Sequence, residues 1–129
     1  VITTDTHRLT PIEGIYPDGY RFDLPGICPE PFARIPDRFE GLEPYAEYRV
    51  RSTDIDVGGH MNNTAYVRAL MGTFTGEEMK KMQIKRMDVM FKTPCYEGDL
   101  LHFTCKKDEF GLEIRASREG DTVLLVRIQ

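Results

Sequence analysis

The hydrophobic pattern changes near residue 45, and from there to the end of the chain it predicts strands and helices. Apolar residues alternate with charged ones at Ala46, Tyr48 and Val50, which is typical of a strand with one buried face. Four more strand-like runs follow, centred on Met87, Val89 and Phe91, on Leu101, Phe103 and Cys105, on Leu112, Ile114 and Ala116, and on residues 123–128. Short Gly-containing separators at 97–99, 108–111 and 119–121 predict antiparallel hairpins between these strands.

Two helical segments are predicted between the first strand and the second. The first has four apolar residues at the i, i+3, i+4 and i+7 spacing of one helical face, namely Val67, Leu70, Met71 and Phe74. Asn62 or Asn63 is well placed to cap its start. Thr75 begins a Thr-x-x-Glu capping box, which predicts a second, shorter helix with Met79 and Met82 turned inward.

A sheet of five antiparallel strands must bury one face, and the single long helix is the available cover. We therefore predict an α+β fold in which a curved antiparallel five-stranded sheet wraps around one long central helix.

The first 44 residues predict an extended arm or interdomain linker, preceding a folded module at 45–129. This arm holds seven of the eight prolines, and proline bars both helix interiors and central strands. We expect it to lie against the module, because it carries apolar residues that a free linker would not need, among them Ile15, Tyr16, Tyr20, Phe22, Phe32 and Phe39. The arm has 8 acidic and 4 basic side chains and the module 13 of each, so the net charge of −4 belongs to the arm.

Composition narrows the class of protein. No apolar run approaches the roughly 20 residues of a membrane span. The three cysteines (Cys28, Cys95 and Cys105) are odd in number and form no CxxC pair, so we expect reduced thiols in the cytoplasm, without a disulfide framework or a zinc site. We expect no cofactor, no metal, no nucleic acid and no membrane partner. A chain that begins at Val1, with neither an initiator Met nor a signal peptide, favours a fragment or a processed chain.

The densest polar cluster lies between the first strand and the first helix. Residues 54–63 contain two carboxylates, an imidazole, two adjacent glycines and two amides. At a helix N-terminus, free backbone N–H groups and the helix dipole can stabilise a developing oxyanion. A simple capping loop would use the same residue types, since Asp and Asn favour helix starts and Gly-Gly favours turns. Composition alone leaves both interpretations open.

The order of these residues resembles a known signature. Asp-x-Asp-x-x-Gly-His-x-Asn-Asn, followed by Tyr66, is similar to the motif of hot-dog-fold thioesterases, both the 4-hydroxybenzoyl-CoA type and the acyl-acyl carrier protein type. The resemblance to the second type extends over the order of elements and over residues 92–99. Residues 4–9 and 35–36 resemble the stretch where that family passes from its first hot-dog half to its second. The resemblance implies that this chain is the C-terminal half.

Residue by residue, the resemblance implies that Asp56 is the catalytic aspartate and His60 the catalytic histidine. We expect substrate or oxyanion binding at four further positions: Gly59, Asn62, Asn63 and Cys95. Two departures stand out, because the plant enzymes have a catalytic asparagine where this chain has Gly58, and the family often has a glutamate where it has Pro94. Asp56 could activate water as a general base or attack the thioester carbonyl itself.

The leading hypothesis is hydrolysis of fatty acyl-acyl carrier protein to release a free fatty acid. The alternatives are an acyl-CoA thioesterase of the 4-hydroxybenzoyl-CoA type and a non-catalytic hot-dog half that binds acyl chains or mediates assembly. Because the hot-dog family places its site at the junction of two modules, we also expect a homodimer or pairing with a second module.

Overall fold

The computed structural model describes residues 34–109 and 111–129, together with isolated positions among the first 33 residues. It divides the chain into two compact units, Val1–Pro31 and Phe32–Gln129, and the second is described below. Four residues named in the sequence predictions lie outside the described residues: Ile15, Tyr20 and Phe22, which were expected to contact the module, and Cys28, which was expected to be a free thiol. Within the described ranges, no helix is long and apolar enough to cross a membrane.

Five antiparallel strands form one sheet, as predicted. They are β1 (Ala46–Arg49), β2 (Met87–Phe91), β3 (Leu100–Asp108), β4 (Gly111–Arg118) and β5 (Asp121–Ile128). Their order across the sheet is β1-β3-β4-β5-β2. The predicted hairpin at 97–99, which would join β2 to β3, was wrong. The neighbours of β3 are β1 and β4, and β2 pairs with β5 at the opposite edge of the sheet. Residues 92–99 therefore cross one end of the sheet.

The helix that covers the sheet is α1 (Asn63–Met71), and its start is capped as predicted. The side chain of Asn62 accepts the backbone N–H of Thr64. Of the predicted face, Leu70 is buried and Met71 packs against the core, whereas Val67 is only half-buried; the other buried residues of the helix are Ala65, Tyr66 and Ala69. The helix has nine residues and is followed by Gly72, so Phe74 packs against the core from the loop beyond it.

The second helix, α2 (Gly76–Lys81), begins with the predicted capping box, in which Thr75 and Glu78 exchange hydrogen bonds. Met82 packs against the core as predicted. Met79 does not, because it is 38% exposed. This helix of six residues makes few core contacts and lies at the rim of the domain.

The inner face of the sheet and α1 enclose the main core. Its fully buried strand residues are Leu101, Phe103, Ile114, Ala116, Val123, Leu124 and Val126. Cys105 is exposed, although the alternation placed it on this face. Burying one Leu, Ile, Val or Phe side chain contributes about 1.5–3 kcal/mol to the free energy of unfolding, so these residues dominate the stability of the domain.

Residues 34–40 form a strap across the outer face of the sheet. Ile35 and Phe39 are each 1% exposed and pack with Leu125 and Met90. For Phe39 this confirms that apolar residues of the arm lie on the module, whereas Phe32 is exposed. The end of the predicted arm is therefore an integral part of the second unit.

A buried ion cluster anchors the strap. The carboxylate of Glu113 accepts hydrogen bonds from Lys106 Nζ (2.9 Å) and Arg127 Nε (3.0 Å). Burial alone would raise the pKa of Glu113, but donation by Arg127 and Lys106 outweighs it, so the pKa is lowered. Lys106 Nζ also donates to the carbonyl oxygen of Arg38 (3.1 Å) and lies 4.8 Å from the centre of the Phe39 ring.

We predict that Phe39→Ala lowers the free energy of unfolding by about 3 kcal/mol, because it leaves a cavity between strap and sheet. The matched control is Phe32→Ala, which removes a ring that is 55% exposed and should cost less than about 0.5 kcal/mol. Urea denaturation measures the free energy of unfolding of both variants, and the comparison holds when their m-values equal that of the wild type. Equal losses in the two variants would contradict the role of the strap.

Candidate active site

The predicted catalytic residues lie on a closed loop, residues 55–61, which we call the site loop. It follows a 3₁₀ turn at Ser52–Asp54 and ends at the start of α1. Ile55 and Met61 form an antiparallel bridge, and the backbone N–H of Asp56 donates to the carbonyl oxygen of His60 (3.0 Å). Gly59 turns the loop with φ +79°, a conformation that glycine adopts without steric cost. The loop is thus a short, hydrogen-bonded hairpin.

Asp56 and His60 face each other across this hairpin. The distance from His60 Nδ1 to Asp56 Oδ1 is 3.9 Å. The side chain of His60 is 48% exposed and that of Asp56 is 37% exposed. The backbone N–H of Gly58 donates to Asp56 Oδ1 (2.7 Å) and fixes the carboxylate. The ring of Tyr96 meets the His60 ring at an edge, with centroids 6.1 Å apart. A carboxylate and an imidazole held this way can bind and activate a water molecule that lies beside both of them.

Gly58 lies next to both of these side chains, and the absence of its own side chain leaves room for them. A Cβ atom here would lie 3.0 Å from Asp56 Oδ1 and 3.0 Å from His60 Cε1. Side-chain atoms that close must move apart by a few tenths of an ångström. Any side chain at position 58 would therefore press on both groups, whereas glycine leaves them in place.

A cavity of about 340 Å³ opens beside this pair, between the site loop, the first turn of α1 and the end of β2. Its lining residues are Asp56, His60, Met61, Asn62, Asn63, Tyr66, Phe91, Lys92, Thr93 and Pro94. Four of the six predicted site residues, Asp56, His60, Asn62 and Asn63, thus meet in one place. Gly59 and Cys95 do not line the cavity.

In the part of the chain that the structure describes, two residues of the cavity lining have backbone N–H groups without a protein acceptor, and Gly59 is not one of them. The N–H of Gly59 donates to the carbonyl oxygen of Asp56 (3.0 Å) and is therefore occupied. Within the described chain, the N–H groups of His60 and Asn63 donate to no protein acceptor. Asn63 is the first residue of α1, where the helix dipole favours negative charge.

Cys95 lies behind the cavity. It is fully buried, and burial raises the pKa of its thiol. Its backbone N–H donates to the Tyr66 hydroxyl oxygen (2.8 Å), and its carbonyl oxygen accepts the N–H of Met61 (2.8 Å). Arg118 holds the preceding residue by donating to the carbonyl oxygen of Pro94 (3.3 Å). Through these bonds Cys95 joins the 92–99 crossing to α1 and to the site loop.

Sequence reasoning assigned no role to Phe91, Lys92 or Thr93, which form the β2 side of the cavity. The motif included Tyr66 but gave it no function. No pattern in their own stretch of sequence predicts that these three residues line the cavity. Their position there depends on the place of β2 in the sheet, at the edge next to β5. Lys92 also lines two outer-face cavities bordered by the strap.

We predict that Gly58→Ala displaces Asp56 and His60 without unfolding the domain, because its Cβ meets only the ends of flexible side chains. Two-dimensional NMR of the His60 ring protons measures the change. The matched control is Gly76→Ala at the first residue of α2, where a Cβ meets nothing within 4 Å. His60 signals that stay in place in both variants would contradict the crowding.

Comparisons with known proteins identify the fold and the family of this chain. The sequence model described as "Acyl-ACP thioesterase C-terminal domain" matches residues 42–129. An acyl-ACP thioesterase structure from Bacteroides thetaiotaomicron is 26% identical, with a TM-score of 0.63 over 79% of this chain and 44% of that one, so this chain spans less than half of that protein. A gentisyl-coenzyme A thioesterase is 17% identical, with a TM-score of 0.55 over 64% of this chain and 81% of that one. Curated proteins gave no significant match. The chain has the hot-dog fold and belongs to the acyl-ACP thioesterase C-terminal domain family, a family of thioester hydrolases.

Proposed function

We propose that this domain hydrolyses the thioester of fatty acyl-acyl carrier protein and releases a free fatty acid, as a step of fatty acid biosynthesis. The observation that carries the proposal is the pairing of Asp56 with His60 over a cavity at the N-terminus of α1. The apolar part of the lining, Met61, Phe91 and Pro94, suits an acyl chain. Membership of the family, together with the 26% identical acyl-ACP thioesterase, supports the carrier protein as the acyl donor.

In the proposed reaction, Asp56 takes a proton from water, and the resulting hydroxide attacks the thioester carbonyl carbon. The carbon–sulfur bond then breaks, and the thiolate receives the proton. A thiol with a reference pKa near ~8.5 leaves readily, so no strong general acid is required. The second route has Asp56 attack the carbonyl to form an anhydride, which water then opens. Single-turnover hydrolysis in ¹⁸O-water tests the second route: when water opens the anhydride at the Asp56 carbonyl carbon, one solvent oxygen enters Asp56, whereas the first route leaves Asp56 unlabelled.

Charge on the carbonyl oxygen is proposed to be stabilised by the N–H groups of His60 and Asn63. Donors aimed at developing charge at a helix N-terminus commonly supply a large part of a rate enhancement. The His60 ring orients the water or the thioester beside Asp56. This scheme needs neither an asparagine at Gly58 nor a glutamate at Pro94.

The proposal includes a second hot-dog module beside β2, supplied by another copy of the chain or by another domain. Among the described strands, β2 pairs with β5 on one side only, and an unpaired strand edge is a template for a further strand. Phe91 is 42% exposed on this strand. Because the end of β2 also lines the cavity, a module paired here would cover the cavity's open side.

The free thiols of Cys95 and Cys105 support a cytoplasmic location as part of the same proposal.

We predict that Asp56→Asn lowers kcat/KM for acyl-acyl carrier protein at least about 100-fold, because the amide can neither take a proton nor attack. Hydrolysis is measured on matched panels of acyl-acyl carrier protein and acyl-CoA. The control is Asp37→Asn, an exposed strap carboxylate outside the cavity, which should keep wild-type activity.

Full activity in Asp56→Asn would remove this carboxylate from the mechanism. Faster turnover of acyl-CoA would overturn the carrier assignment but not the hydrolysis. A wild-type protein inactive on every thioester would favour the non-catalytic hot-dog half.

We predict that the 14.9 kDa chain sediments as a dimer and that Phe91→Glu makes it a monomer, because a charge replaces an apolar residue at the proposed junction. Sedimentation velocity measures the mass. The control is Leu42→Glu, which changes a side chain of similar exposure (41%) on the loop before β1 and should leave the dimer intact. A wild-type monomer at all concentrations would contradict self-association.

A further inference from the structure

A buried carboxylate supports the site loop from behind the cavity. Asp54 is 2% exposed and does not line the cavity. Its Oδ2 accepts the Tyr48 hydroxyl (2.7 Å) and the Arg51 backbone N–H (2.9 Å), and its Oδ1 accepts Arg68 Nη2 (2.6 Å). Burial alone would raise its pKa, but these three donors outweigh burial and lower the pKa. The group is therefore a fully bonded buried anion at neutral pH.

The three donors come from different parts of the fold. Tyr48 belongs to β1, Arg51 precedes the 3₁₀ turn, and Arg68 lies on α1. The backbone of Asp54 adds a fourth link, since its carbonyl oxygen accepts the N–H of Asn62, the N-cap of α1 (2.8 Å). Asp54 is thus bonded to the strand before the site loop and to the helix after it.

This arrangement does more than fill the interior. Asp54 is buried whereas Arg68 is exposed, so the pair ties a buried carboxylate to the outer side of α1 and fixes how the helix lies against the site loop. The pair lies where the site loop and the helix start meet, and both of these line the cavity. A change in the angle of α1 would move the N–H groups of His60 and Asn63 relative to Asp56.

We infer that Asp54 and Arg68 are positioning residues, which hold the site loop and the N-terminus of α1 in the geometry that hydrolysis requires. The inference rests on the proposed function, because it assigns these residues a part in the same reaction. Neither residue touches the substrate in this scheme.

Arg68 is the better residue to change. Its side chain is 65% exposed, whereas that of Asp54 is 1% exposed, so its substitution disturbs little packing. Arg68→Gln removes the charge, and Arg68→Lys restores it. The matched control is Arg34→Gln, an exposed arginine on the strap outside the site cavity.

We expect Arg68→Gln to lower kcat at least about tenfold with KM nearly unchanged, because misplaced reacting groups slow the chemistry more than they weaken binding. Arg68→Lys should regain most of this loss, and Arg34→Gln should match the wild type. A rise in KM alone, or no recovery in Arg68→Lys, would overturn the positioning role.

Amide hydrogen exchange gives a readout that does not depend on activity. In Arg68→Gln we expect at least about tenfold faster exchange at Asp56, Gly59 and Asn62, with unchanged protection at the sheet residues Ile114 and Val126. Equal acceleration in loop and sheet, or none in the loop, would overturn the inference. An inactive wild-type protein would overturn the proposed function, and the exchange rates would still decide whether the pair holds the loop.

Discussion

The hydrogen bond from the Asn62 N–H to the carbonyl oxygen of Asp54 closes the base of the site loop, and the geometry of the candidate site depends on this closure. It brings the end of the 3₁₀ turn against the first turn of α1. With its ends joined, the loop between them has room only for a hairpin, and a hairpin places Asp56 and His60 on facing sides. The site loop is therefore tied to the 3₁₀ turn and to the start of α1, and the bond from Met61 to the carbonyl oxygen of Cys95 ties it to the 92–99 crossing.

Local features of the site could be predicted from the sequence because they depend on residues near each other in the chain. The four-residue spacing of Asp56 and His60 beside two glycines indicated a loop with a carboxylate close to an imidazole, and the structure has one. The cap at Asn62 was predictable for the same reason. The strands were readable from their period of two, which follows from alternating side-chain directions.

Features that depend on tertiary packing could not be predicted this way. The helix face was predicted only in part, because Ala65 and Tyr66 are buried while Val67, which has the spacing of the same face, is only half-buried. The β2 side of the cavity was missed because the position of β2 next to β5 is a property of the whole sheet. The part played by Gly58 required the distances to Asp56 and His60, since a missing side chain leaves no pattern to read.

Lys92 lies at a corner of the sheet, where it borders both the site cavity and the outer-face cavities beside the strap. The strap and the site thus share a wall, although they cover opposite faces of the sheet. If hot-dog domains are exchanged between members of the family, residues 34–40 should therefore be transferred together with the hot-dog module. A chimera joined after residue 40 would separate the module from part of its own outer layer, whereas one joined before residue 34 would keep that layer intact.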